Sequence, residues 1–270
     1  MSKISKAMDK AEREHDRGTP DEPGGAKPSG FVADHPDLQG EGGEAVTARR
    51  TPPPRTAGPL APPENSEEYH GLASEIYLAL PDIRSRVIMV TSAVDGEGTS
   101  TVSREFAETL AVANAVDTLL VDANLRKPGH HRALRVQQDP GLTDAVLGGA
   151  ELSQCIQATQ VPHLSLMAAG RRVVAPPRVF TDSNIDDVIG SLRRSFPLTI
   201  IDMPPVLSFS EGLQLSGRVD GVVLVIRAGR TKRQLVELAT EQLRGAGANI
   251  LGTVLNRRRF YIPRMIYERL

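Results

Sequence analysis

Apolar residues gather into short runs along the last two-thirds of the chain. Val87–Val90 leads into Thr91 and Ser92, and Thr118–Asp122, Leu198–Asp202, Gly221–Ile226 and Asn249–Leu255 repeat the pattern. Runs this short and this rich in Val and Ile predict strands buried on both faces. His163–Met167 is a weaker run of the same kind. Between the runs the apolar spacing turns helical. Ser66–Ala79 predicts a helix, with Ser66 as its cap, Glu67 and Glu68 in the first turn, and Tyr69, Leu72, Ile76 and Leu80 along one side. A second helix is predicted from about Ser100 to Ala115. Strands alternating with helices imply a mostly parallel sheet covered on both faces. Ligands of such sheets sit beyond the carboxyl ends of the strands.

The first 65 residues read differently. Residues 1–17 are charged, with Ile4, Ala7, Met8 and Ala11 at helical spacing, which predicts a short amphipathic helix. A frayed tail and a docking peptide both remain open for it. Residues 18–65 hold ten of the 20 prolines and one aromatic residue, Phe31, so they predict a disordered linker that cannot offset its ordering entropy by burial. Residues 66–270 then form the globular domain. The formal net charge of -1 gives no argument for a nucleic-acid partner. One cysteine, Cys155, excludes a disulfide framework and reads as a buried small residue. No apolar run reaches the ~18 residues of a membrane helix, and the N-terminus lacks a signal-peptide core. The expectation is a cytoplasmic chain.

Chemistry concentrates after the first strand. Ala93 to Thr101 reads A-V-D-G-E-G-T-S-T, the frame of a phosphate loop with Thr99 where the lysine belongs. Gly96 and Gly98 allow close backbone approach, and the loop and first helical turn aim N–H groups into one concavity. Gly96, Glu97, Gly98, Thr99, Ser100 and Thr101 are therefore the candidate phosphate-binding residues, with Arg126 as a further contact. Asp122 and Asp202 each end an apolar strand, and with the Ser100 hydroxyl they make a candidate Mg²⁺ site. Arg126, Lys127 and Arg104 are the basic residues that could replace the missing charge. His130-His131 reads as surface histidines on an irregular loop, since adjacent residues lack metal-ligand spacing.

These residues carry a family resemblance. The chain from about Ser66 onward resembles the bacterial tyrosine kinases of capsule and exopolysaccharide synthesis, relatives of the MinD/ParA P-loop ATPases. The resemblance rests on Gly96-Glu97-Gly98-Thr99-Ser100-Thr101, on Val121-Asp122-Ala123-Asn124-Leu125-Arg126-Lys127-Pro128, and on Ile200-Ile201-Asp202-Met203-Pro204-Pro205. Gly141-Leu142-Thr143-Asp144, Val219-Asp220-Gly221 and Gly252-Thr253-Val254-Leu255-Asn256 extend it. It implies a P-loop NTPase-type α/β fold, ATP or ADP with Mg²⁺ as cofactors, and Asp122 as the catalytic base toward a tyrosine hydroxyl. It also implies that Asn256 lies near the nucleotide base. The implied partner is a membrane chain-length regulator, or polysaccharide co-polymerase, that recruits the chain to the inner face of the plasma membrane.

Departures from the family pattern leave the chemistry open. The lysine is Thr99 and the second acidic residue of the Asp122 motif is Asn124. The family's ring-forming E-x-x-R-x-x-R helix reads Glu67, His70 and Ala73, which implies a weakened homo-oligomer contact. The tail has two separated tyrosines, Tyr261 and Tyr267, in place of a cluster. The leading expectation is a kinase-like nucleotide-binding component of exopolysaccharide assembly, with a non-catalytic regulator as the competing class, and the Asp122 and Asp202-Met203-Pro204-Pro205 motifs and the tail argue against a third reading, a MinD/ParA-like ATPase.

Overall fold

Among the described residues seven strands build one sheet, in the order β3 (Ile156–Ala158), β4 (Leu164–Met167), β2 (Thr118–Asp122), β5 (Leu198–Asp202), β1 (Arg86–Ser92), β6 (Gly221–Arg227) and β7 (Ile250–Asn256). The structure is a computed structural model, and it describes residues 66–81 and 85–257. The expected N-terminal helix and linker, and Tyr261 and Tyr267, lie outside those residues. After α1 (Ser66–Ala79) come β1 (Arg86–Ser92), α2 (Thr99–Ala113) and β2 (Thr118–Asp122). Three short helices, α3 (His130–Ala133), α4 (Leu142–Val146) and α5 (Leu152–Cys155), lead to β3 (Ile156–Ala158) and β4 (Leu164–Met167). Then follow α6 (Pro176–Thr181), α7 (Asn184–Ser195), β5 (Leu198–Asp202), α8 (Glu211–Ser216), β6 (Gly221–Arg227), α9 (Arg233–Gly245) and β7 (Ile250–Asn256). All neighbouring strands run parallel except β3, which pairs antiparallel with β4 at one edge. Among the described residues no helix is long and apolar enough to cross a membrane.

Strand alternation explains the layering. Ile88, Val90, Leu120, Ile200, Val223 and Val225 face one side, where α1 and α2 cover them with Tyr69, Ile76, Phe106 and Leu110. Val87, Met89, Leu119, Val121, Ile201, Val222 and Leu224 face the other, under Ile185, Val188 and Leu192 of α7 and Ala239 and Leu243 of α9. Each large side chain buried this way contributes about 1.5–3 kcal/mol of transfer free energy. β1 lies between β5 and β6, with Val90 in register with Asp202 and Asp122 in register with Asp202. The register thus brings the loop after β1 and both strand-ending aspartates to the same carboxyl-terminal end of the sheet.

Helix α1 packs on α2. The Tyr69 hydroxyl donates to Glu105 at 2.9 Å, and the Tyr69 ring lies 6.1 Å from Phe106. Burial, reinforced by that carboxylate, raises the Tyr69 hydroxyl pKa well above its usual value. Ala73, at the second arginine position of the family's ring motif, is turned inward and buried with Ile76. We expect Ala73→Arg to overpack this seam and lower stability by about 1–3 kcal/mol. A fall in the urea midpoint checks it; a gain of oligomer at unchanged midpoint would contradict it.

The Gly141–Asp144 piece is structural. Asp144 accepts the Gly141 N–H at 2.9 Å and the Arg171 N–H at 3.1 Å, and it also binds the Arg171 guanidinium. A Cβ on Gly141 would lie 2.2 Å from the Ala168 carbonyl oxygen, so only glycine fits there. Burial works against ionisation, yet the Gly141 and Arg171 bonds together hold the Asp144 carboxyl below its ordinary value. A depressed folded pKa gives stability that is present above the unfolded value and lost as pH falls through the folded one. Asp144→Asn is expected to cost about 1–3 kcal/mol near neutral pH. The gap between wild type and variant should shrink below about pH 4. Denaturant titrations near neutrality and in acid measure both.

Candidate functional site

The turn from β1 into α2 has the backbone of a phosphate loop. Gly96 and Gly98 adopt φ of 82° and 93°, a left-handed region that favours glycine. Gly98 is constrained twice, because a Cβ there would fall 2.2 Å from Asn256 Nδ2. The Glu97 side chain turns inward. Its carboxylate is buried, accepting the Val94 N–H at 3.0 Å, the Arg227 N–H at 3.3 Å and the Thr231 hydroxyl. Glu97 therefore braces the loop against the end of β6. Asn256 donates from Nδ2 to the Glu97 carbonyl at 2.8 Å, and its Oδ1 accepts the Arg257 N–H at 2.7 Å. Its amide clamps the loop backbone.

Of the basic residues the sequence offers for the lysine position, each is already paired. Thr99 opens α2 and is nearly buried, Ser100 is half-buried, and Thr101 is exposed. Arg126 Nε is held by Glu211 Oε1 at 2.8 Å, with its guanidinium 4.1 Å above the Phe209 ring. Lys127 pairs with Asp95 at 3.7 Å, and Arg104 lies 3.9 Å from both Glu105 and Glu108. Each basic residue offered by the sequence thus already faces a carboxylate.

Beyond the strand ends Asp122 and Asp202, which the sequence pairs, meet a third buried residue that it does not reveal, His130. His130 is 2% exposed, and the stretch expected to be an irregular loop is a single helical turn. This corrects the reading of His130 as a surface residue. Adjacent histidines lack ligand spacing, but only one of them needs to turn inward. His130 Nε2 lies 2.9 Å from Asp202 Oδ2, and Ser103 Oγ donates to Asp202 Oδ1 at 3.2 Å. Asp122 Oδ2 accepts the Gly129 and His130 N–H groups at 2.9 and 3.0 Å. Asp122 Oδ1 is buried and without a partner. A histidine eight residues beyond a strand-ending aspartate was the one available signal.

The electrostatics follow from this packing. Burial pulls the His130 pKa down, but the hydrogen bond to Asp202 and the charges of Asp202 and Asp122 outweigh it, so the imidazolium is favoured. Burial pushes the Asp122 carboxyl up, and Asp202 adds to the rise, against the pull of His130 and the two N–H groups. Magnesium demands near-octahedral oxygen ligands and keeps several waters. Here both Asp202 oxygens and one Asp122 oxygen are already engaged, and a nitrogen donor stands among them. Asp122 Oδ1 is the carboxylate oxygen left free for a magnesium ion that keeps several waters.

A strand, a left-handed glycine turn, a helix and two register-matched aspartates define a P-loop α/β domain. No protein-family model matches the chain. It is 31% identical to the tyrosine-protein kinase YwqD of Bacillus subtilis over 192 residues, covering 71% of this chain and 81% of that protein. The crystal structure of the VpsO kinase domain superposes with a TM-score of 0.65 at 30% identity, covering 72% of this chain and 97% of that one. MinD of Pyrococcus horikoshii, solved with Mg-ADP, shares the fold at 22% identity and a TM-score of 0.56, covering 68% and 76%. The chain belongs to the bacterial tyrosine-kinase family.

Proposed function

We propose that this chain is a nucleotide-holding member of the family that does not transfer phosphate and regulates capsule or exopolysaccharide assembly. It would work at the inner face of the plasma membrane beside a membrane chain-length regulator. The observation that carries the reading is the charge arrangement at the loop. Thr99 replaces the lysine, and Arg104, Arg126 and Lys127 each face a carboxylate. Phosphoryl transfer depends mainly on positioning and on neutralising charge that develops on the phosphate. Backbone N–H groups at a helix start still attract phosphate without a lysine, so binding survives better than catalysis. In an active kinase Asp122 would take the tyrosine proton. Here its Oδ2 is tied to the backbone of α3 and its Oδ1 is enclosed.

Calorimetric titration of the full chain with Mg-ATP, paired with mass spectrometry for phosphotyrosine, tests the reading. Saturable binding without phosphotyrosine is the expected pair of results. Phosphotyrosine would restore the kinase reading, and absence of binding at millimolar nucleotide would overturn both.

A further inference from the structure

We infer that the two chain tips beyond β6 and β7 form a direct docking surface for an anionic lipid bilayer. The contact needs neither nucleotide nor the membrane regulator proposed above. Residues 227–233 read R-A-G-R-T-K-R, four cations without an acid, and Arg257-Arg258-Arg259 follows Asn256 in the sequence. The fold brings the two stretches together. β6 and β7 are parallel neighbours with Arg227 in register with Asn256, and the Ala228 N–H donates to the Asn256 carbonyl at 2.9 Å. A tight turn follows β6, where the Arg230 and Thr231 N–H groups both donate to the Arg227 carbonyl, at 3.3 and 3.1 Å. Arg257 leaves β7 with φ of 55°, its N–H held by Asn256 Oδ1. Neighbouring strands lie about 4.8 Å apart, so Arg230, Lys232 and Arg257 share one corner of the sheet.

The chain leaves this charge unmatched. Arg230, Lys232 and Arg257 are exposed, and among the described residues none of them has an ion pair. The acids that contact these segments are committed. Glu237 pairs with Arg233 at 2.7 Å, and Glu97 is buried beneath the turn, bonded to the Arg227 N–H and the Thr231 hydroxyl. Leu255, in register with Ile226, is 59% exposed near the end of the same strand. Exposed cations beside an exposed leucine match a bilayer interface, where phosphate head groups meet the cations and the acyl boundary takes the leucine. A free phosphate would leave Leu255 in water. Among the described residues β7 is the outermost strand, so a flat surface can reach both tips.

The test uses the full chain in a flotation assay with vesicles of equal phosphatidylglycerol and phosphatidylcholine, and with pure phosphatidylcholine vesicles as the reference. Binding to the anionic vesicles alone is expected, and added salt should weaken it by screening. Each cation near an anionic surface strengthens binding roughly 5-fold, so Arg230→Gln, Lys232→Gln and Arg257→Gln together should weaken it about 100-fold. Leu255→Ser should weaken it further, while circular dichroism confirms the fold of each variant. Arg172→Gln, the same change at an exposed arginine beyond β4, should leave binding unchanged. Excess Mg-ATP or inorganic phosphate should not release the chain. No binding to anionic vesicles, equal binding to both kinds, or full binding by the triple variant would overturn the surface. So would a comparable loss in Arg172→Gln, which would reduce the effect to net charge, or release by ATP or phosphate, which would make the corner a site for free phosphate. Calorimetry with Mg-ATP scores the nucleotide reading separately, so either can fail alone.

Discussion

Asp202→Ala is expected to lower the unfolding free energy by about 3–5 kcal/mol, the cost of removing one partner from a buried ion pair. The variant strips His130 of its Oδ2 partner and Ser103 of its Oδ1 acceptor, both inside a region closed to water. Asp122 remains nearby but is already oriented by backbone N–H groups, so it cannot replace both contacts. The double variant Asp202→Leu with His130→Leu removes both charges and should recover much of the loss, since apolar replacement of a buried pair is often close to neutral. Denaturant unfolding of the singles and the double measures the coupling. If Asp202→Ala cost less than ~1 kcal/mol, His130 and Asp202 would not be an energetically coupled pair.

Thr99→Lys is expected to tighten nucleotide binding by about 10- to 150-fold without producing phosphotyrosine. The size corresponds to one charge-assisted hydrogen bond of roughly 1.5–3 kcal/mol. The direction follows because the basic residues nearest in sequence are committed elsewhere, Arg126 to Glu211 and Phe209 and Lys127 to Asp95. Transfer should stay absent because the lysine restores only one part of the site. His130 still covers Asp202, and Asp122 still braces α3. Calorimetry on both chains gives the affinity ratio. A variant that binds no better would show that the loop is not the phosphate site.

The fold was largely legible in the sequence. β1, β2, β5 and β6 fall on the apolar runs because parallel strands buried on both faces must be apolar throughout, whereas β7 falls on its run yet lies half-exposed at the sheet edge, against the expectation of full burial. β3 was not legible, since Ile156-Gln157-Ala158 is too short to show a period. α3 escaped for the same reason, and with it the burial of His130. The site was legible where a motif reports backbone geometry, as at Gly96 and Gly98, and where strand ends fix position, as at Asp122 and Asp202. It was not legible where side-chain direction decides. Glu97 reads as a phosphate-loop residue but turns inward to brace the loop. Arg126 reads as a phosphate contact but stacks on Phe209. His130 and Asp202 meet at a sequence separation of 72, which no local pattern encodes.

On the function proposed above, the loop retains nucleotide contact while the site no longer transfers phosphate. That combination is tested most directly on the chain isolated from the cells that make it, where its partners are present. Every tyrosine, including Tyr261 and Tyr267, is mapped by mass spectrometry, and the same preparation is titrated with Mg-ATP. Saturable binding and unmodified tyrosines are expected. Stoichiometric phosphate on any tyrosine, lost when Asp122 is changed to Asn, would contradict it.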